Sequence, residues 1–224
     1  MKRWLSYLIF FLLIPVTVLG GAFIFKQKQY AFLSLCVTVF SCVPFFLNFE
    51  KKQSSAGQLI LIAVMVALSV LGRFIFAPIP GFKPVTAMVV ITAMYFGSEA
   101  GFMTGALSAV LSNFYFGQGP WTPFQMFSWG MIGLLAGLMA EPLKRSKIVL
   151  TVFAVFSGVL YSLLMDVWTV LWADGYFNFS RYLAAILAAV QFTAVYAVSN
   201  VIFLLLLAKP IGKILNRVSV KYGL

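Results

Sequence analysis

The side chains best suited to bind or react fall in or beside three short stretches: "GRFIFAPIPGFKP" (72–84), "NFYFGQGPWTPFQM" (113–126) and "WADGYFNFSR" (172–181). The candidates are Arg73, Lys83, Asn113, Tyr115, Gln118, Trp121, Gln125, Trp129, Asp166 and Asp174. Amides and phenols suit recognition of a neutral or zwitterionic organic ligand, and rings with a few convergent polar groups are what a small-molecule pocket requires. Trp121 and Trp129 are eight positions apart, close to two helical turns, with Gln125 midway, so the three share one face. A glutamine makes that face a poor lipid contact, and it is expected to line a cavity. Asp166 follows Lys147 by nineteen residues, about 28 Å at ~1.5 Å per residue, which makes an Arg73–Asp166 pair geometrically possible. The plainer alternatives are an Arg73 that snorkels to the headgroups and a Trp172 that belongs to an interfacial belt. Gln191, Tyr196 and Asn200 lie deeper in the last apolar run, where interhelical hydrogen bonding is the expectation for the asparagine.

Reagents for catalysis are missing. The chain has no histidine and five acidic residues, which are scattered, and no serine has a histidine partner. Cys36 and Cys42, with no further ligands near, read as two buried inert thiols rather than a metal site. No GxxxxGK[ST] loop is present, so nucleotide hydrolysis is not expected of this chain. The expectation is a protein that is not an enzyme and carries no cofactor or metal.

The elements that hold these residues are set by lipid. The sequence is 62% hydrophobic and 9% charged, with a mean hydropathy of +1.02, too apolar for water to be the main solvent. A helix needs about 20 apolar residues to cross the hydrocarbon core. Eight candidate spans follow: 4–25, 30–49, 57–76, 83–97, 100–116, 123–141, 147–172 and 182–208, of which 83–97 and 100–116 are short and linked through glycine. The first begins after Lys2 and Arg3 and lacks a small-x-small cleavage site, so it reads as a retained helix. The net charge of +11 gathers in the short segments between spans, a topology signal rather than a nucleic-acid one. With the N-terminus inside, eleven of the 16 cations fall on the inner segments and five on the outer, which places both termini in the cytoplasm. The three chemistry-bearing stretches then all face outward. On the third span, "AVMVA" sets Ala63 and Ala67 four residues apart, a small-xxx-small spacing that allows another helix to approach closely.

Taken together, the AxxxA of the first core helix, the "GQGPWTPFQM" corner and the polar, aromatic outer loops resemble the substrate-binding S component of an energy-coupling factor (ECF) vitamin transporter. The resemblance covers roughly residues 57–215, and the corner inclines it towards the cobalamin-type group. It implies an all-α integral membrane protein with a six-helix core, here preceded by two extra N-terminal transmembrane helices (1–50) and followed by a basic cytoplasmic tail (216–224). It further implies a bacterial cell-membrane protein that captures a vitamin from outside, cobalamin or a corrinoid being favoured. Its partners would be a transmembrane T component and two cytoplasmic ATPase subunits. By that analogy Ala63 and Ala67 would meet the T component, and the ten candidate residues would surround the ligand. The rival readings are a membrane-embedded enzyme acting on a lipid or isoprenoid, which lacks its reagents, and an assembly protein in which the corner is only a stable turn.

Overall fold

Backbone polar groups in hydrocarbon must be satisfied within their own segment, and the chain meets that demand with helices. The computed structural model describes residues 56–222 together with Val39, Cys42 and Val43, and no strand occurs among them. The spans expected at 4–25 and 30–49 lie outside the described residues, those three positions apart. The helices are α1 (Ala56–Ile75), α2 (Val85–Phe96), α3 (Ser98–Phe116), α4 (Thr122–Leu138), the short α5 (Ala140–Arg145), α6 (Lys147–Asp174) and α7 (Phe179–Tyr222). Their bounds follow the apolar runs to within a few residues, with one exception. The last helix continues past 208 to Tyr222, and Pro210 lies inside it without ending it.

Three of these helices, α1, α6 and α7, are long and apolar enough to cross a membrane. The 12 residues of α2 rise only about 18 Å at ~1.5 Å each, less than the ~30 Å hydrocarbon thickness. Every residue from Val85 to Met94 is buried, and α2 forms a central post packed by α1, α3, α4, α5 and α7. Outward faces are apolar instead: Ile60 and Leu71 on α1, Val152 on α6, and Leu187 and Leu206 on α7 are exposed. Inward faces carry Ser, Thr and Asn. The hydroxyls of Thr92, Thr104, Ser112, Ser128 and Ser157 each donate to the carbonyl one turn earlier, which satisfies them inside their own helices. Apolar outside and polar inside is the arrangement a lipid solvent selects.

Local signals explain the ends. Ser146 caps α6 by accepting from the Val149 N–H at 3.3 Å, and Gly175, at φ 74°, closes the helix by returning its N–H to the Leu171 carbonyl. Antiparallel α3 and α4 are drawn together by glycines: Gly101 faces Gly133 backbone to backbone, and Gly105 faces the backbone of Trp129. Cys42 is buried and packs with Phe102, Ala106 and Leu134 of this pair.

Candidate functional site

The turn between α3 and α4 is built by hydrogen bonds from its own side chains. Gly117 ends α3 at φ 103°, a backbone conformation that favours glycine. Gly119 lies directly beneath the Trp121 ring, where a Cβ would fall 2.3 Å from the indole. Pro123 stands in the first turn of α4, where its missing N–H costs no helical bond. Thr122 Oγ1 donates to Gln118 Oε1 (3.0 Å) and accepts from Gly119 N (3.3 Å) and from Asn113 Nδ2 (3.0 Å). Gln118 in turn donates to the Val110 carbonyl at 2.8 Å, which ties the turn back to α3.

Asn113 joins this turn to the interior. Its side chain is 1% exposed; Nδ2 also donates to Gln125 Oε1 at 2.8 Å, and Oδ1 accepts from Arg73 Nη1 at 2.9 Å. Arg73 Nη1 also donates to Ser112 Oγ. Arg73 stands in the last turn of α1, where the helix dipole favours a cation, and its side chain turns into the bundle rather than out to the headgroups. The guanidinium carbon lies 4.5 Å from the Phe116 ring centroid and 5.4 Å from that of Trp129.

On the same indole rests a second cation. Lys83 is the penultimate residue of the 76–84 connection, and Ser199 of α7 clamps its backbone, accepting from Lys83 N (2.9 Å) and donating to Lys83 O (3.2 Å). Its ammonium lies 5.6 Å from the Trp129 centroid, 5.8 Å from Tyr161, 5.9 Å from Phe192 and 5.4 Å from Tyr196. The rings brace one another: Trp129 stacks on Tyr161 at 5.1 Å, and Tyr161 packs on Tyr196 at 4.9 Å. Trp129 is 0% exposed and donates Nε1–H to the Tyr196 hydroxyl at 2.7 Å, which also bonds Thr86 Oγ1 at 2.6 Å. Five helices or their ends thus converge on one indole, with two cations, two amides and two phenols around it.

Of the residues singled out in the sequence, Arg73, Lys83, Asn113, Gln125 and Trp129 come together here. Gln118 and Trp121 belong to the adjoining turn. Tyr115 is 73% exposed and packs edge-on against Phe74, facing away from the network. Asp166 is buried on α6 with Oδ2 unbonded among the described residues, and no ion pair joins it to Arg73. The guanidinium reaches Ser112 and Asn113 instead, because α3 lies nearer than α6 to the end of α1 and supplies neutral acceptors. Asp174 is engaged elsewhere, accepting from Arg181 Nε at 2.7 Å across the α6–α7 turn. Arg181 is more than half exposed, so this bridge is screened. We expect Asp174→Asn to lower stability by less than about 1 kcal/mol in thermal unfolding and to leave ligand affinity within about twofold.

The sequence does not single out Thr86, Ser112, Tyr161, Phe192 or Ser199, and it gives Tyr196 no ligand role. A signal existed for the two phenols: each interrupts a long apolar run, and a buried hydroxyl in lipid requires a partner. Nothing in the sequence pairs them with Trp129, because the contact joins residues 67 positions apart.

A family model described as ECF-type riboflavin transporter, S component, matches residues 53–217. No curated protein and no solved structure matches.

Proposed function

Because the chain belongs to the family of ECF-type riboflavin transporter S components, we propose that it captures a flavin from outside the cell at the site around Trp129. S components are the substrate-binding subunits of ECF transporters, and the family is one of transport rather than of enzymes. The observation that carries the reading is the convergence of Arg73, Lys83, Asn113 and Gln125 on a row of braced rings. A planar heterocycle can stack on such faces while its polar edge meets amides and cations. The corrinoid suggested by the corner motif finds no support in the family description. It is also a broad macrocycle, whereas four ring centroids here lie within 6 Å of one ammonium. The flavin is the better-supported ligand.

In this reading residues 57–215 form a six-helix membrane core, 1–50 an accessory hairpin and 216–224 a cytoplasmic tail, with both termini inside the bacterial cell membrane. The α1–α2, α3–α4 and α6–α7 connections then face outward. Arg73, Lys83, Asn113, Gln125 and Trp129 hold the ligand; Gln118, Trp121 and Tyr115 shape its mouth, and Asp166 and Asp174 lie on its α6 side. Delivery requires a T component and two ATPase subunits. Ala63 and Ala67 are exposed on α1 between larger apolar residues, which suits close approach by a partner helix. Ala63→Trp or Ala67→Trp is expected to abolish co-purification with a T component while ligand binding persists; full association in both variants would remove the docking role.

The ligand is tested by denaturing the purified protein and identifying any released small molecule by mass spectrometry, with calorimetry against riboflavin as a second measurement. A flavin released at near one-to-one ratio supports the reading. Absence of any flavin, together with no heat of binding, overturns it.

A further inference from the structure

The charge at the site is unbalanced. Arg73 and Lys83 address the same Trp129 indole, at 5.4 and 5.6 Å, so two positive groups share one buried neighbourhood. The chain has only five acidic residues. Among the described ones, Glu141 pairs with Lys144 and Arg145, and Asp174 pairs with Arg181. Glu99 opens α3 at the end opposite Asn113, about 21 Å away at ~1.5 Å per residue. Asp166 enters no ion pair with any described residue. No carboxylate among the described residues therefore lies within 4.0 Å of either cation. Among the described residues, Arg73 has neutral acceptors alone, Ser112 and Asn113, and the Lys83 ammonium has ring faces and no hydrogen bond. Ring faces attract a cation, but weakly beside the cost of stripping it of water, and two like charges add repulsion. Asn113 of α3 holds the Arg73 guanidinium, and Ser199 of α7 clamps the backbone from which the Lys83 side chain departs.

We propose that the substrate of this site is an anion, with a carboxylate or phosphate group held between Arg73 and Lys83 against Trp129. The sequence alone suggested a neutral or zwitterionic ligand, because it could not show the two cations meeting without an acid. The inference rests on reading the Trp129 site as the place of capture and narrows the flavin to an acidic one. Arg73 is the better phosphate or carboxylate ligand, since its planar fork is already oriented by Asn113; Lys83 supplies the second charge as a point.

Two arms test it on the full-length protein in detergent. In the first, riboflavin and riboflavin 5′-phosphate are compared by quenching of tryptophan fluorescence. The phosphate ester is expected to bind at least about tenfold more tightly, with the ratio collapsing in Lys83→Met and persisting in Lys83→Arg. In the second, phosphate and acetate are compared with chloride at equal ionic strength. A higher Tm with at least one of them is expected in the native protein, and its loss in Lys83→Met but not in Lys83→Arg. If riboflavin binds as tightly as its phosphate, or Lys83→Met keeps the preference, the anion proposal falls while the flavin reading stands. If neither flavin binds, that reading falls and the second arm decides: a Lys83-dependent anion shift upholds the proposal, and equal shifts in all three proteins overturn it.

Discussion

Asn113→Leu is expected to lower stability by about 3 kcal/mol and to weaken ligand binding by about 100-fold. The two side chains share a branched shape of four heavy atoms, so the effect reports mainly on the polar contacts. Asn113 is buried and makes three side-chain bonds, to Arg73, Thr122 and Gln125. Leucine removes an acceptor from Arg73 and both donors from the α3–α4 turn. Each buried polar group left unpaired costs about 1–3 kcal/mol. Interhelical hydrogen bonds in membranes average nearer ~0.6 kcal/mol, which is why the sum is placed at the low end. The guanidinium, held by Ser112 alone, would lose the orientation it needs over Trp129. Asn113→Asp separates the two contributions. It keeps an acceptor for Arg73 but cannot donate to Thr122 or Gln125, and it places a carboxylate where the ligand's charge would otherwise be welcome. Thermal unfolding in detergent and tryptophan fluorescence titration measure both effects. A loss below about 1 kcal/mol for Asn113→Leu would show that the network tolerates the gap and that the turn is held by its backbone alone.

The second large effect is expected at Gly105. Alanine in a helix normally gains about 1 kcal/mol over glycine. Here the sign inverts, because a Cβ on Gly105 would meet the Trp129 carbonyl carbon and oxygen at 2.5 Å and Gly130 N at 2.8 Å. These are backbone atoms and cannot rotate away, so α3 and α4 must separate. Overpacking of this kind costs about 1–3 kcal/mol and occasionally more, and we expect about 3 kcal/mol for Gly105→Ala. Displacing Trp129 also disturbs its bond to Tyr196 and its contact with both cations, so ligand affinity falls with stability. Gly119→Ala is the informative contrast. Its Cβ would meet the Trp121 side chain, and Trp121 is partly exposed and can turn aside. That change should therefore cost less than Gly105→Ala. An unaltered unfolding temperature for Gly105→Ala would contradict the close α3–α4 approach on which the site depends.

Much of the architecture was legible in the residues. Apolar runs interrupted by glycine, proline and charge mark helices in lipid, since an unpaired backbone group in hydrocarbon is too costly to allow anything but a helix or a closed barrel. The corner at 113–126 was legible too, because glycine, proline and amides at short spacing build a turn from local contacts. Asn113, Gln118, Thr122 and Gln125 lie within twelve residues of one another, and local bonds are what a sequence displays. The extent of α7 was less plain. Its apolar signal ends near Lys209, yet the helix continues, because Lys209, Lys213, Arg217 and Lys221 recur at one-turn spacing on a face that helix geometry tolerates in water or headgroups.

What the sequence determined by itself was a helical membrane chain with no catalytic reagents and a rigid polar turn beside its spans. Only the tertiary structure decided which side chains meet. Arg73 was free, on sequence grounds, to pair with Asp166 or to leave the bundle, and packing against α3 gave it to Ser112 and Asn113. Asp174 was drawn to Arg181 across a short turn. Lys83 met Trp129, Tyr161 and Tyr196 because α2, α4, α6 and α7 close around one point. The Lys83 contacts join residues 46 to 113 positions apart, and no local periodicity encodes a distance that only helix packing sets. The unbalanced charge of the site arises in the same way. Sixteen cations and five acids were visible from the start. That two of the cations share a ring with no acid beside them is a property of the fold.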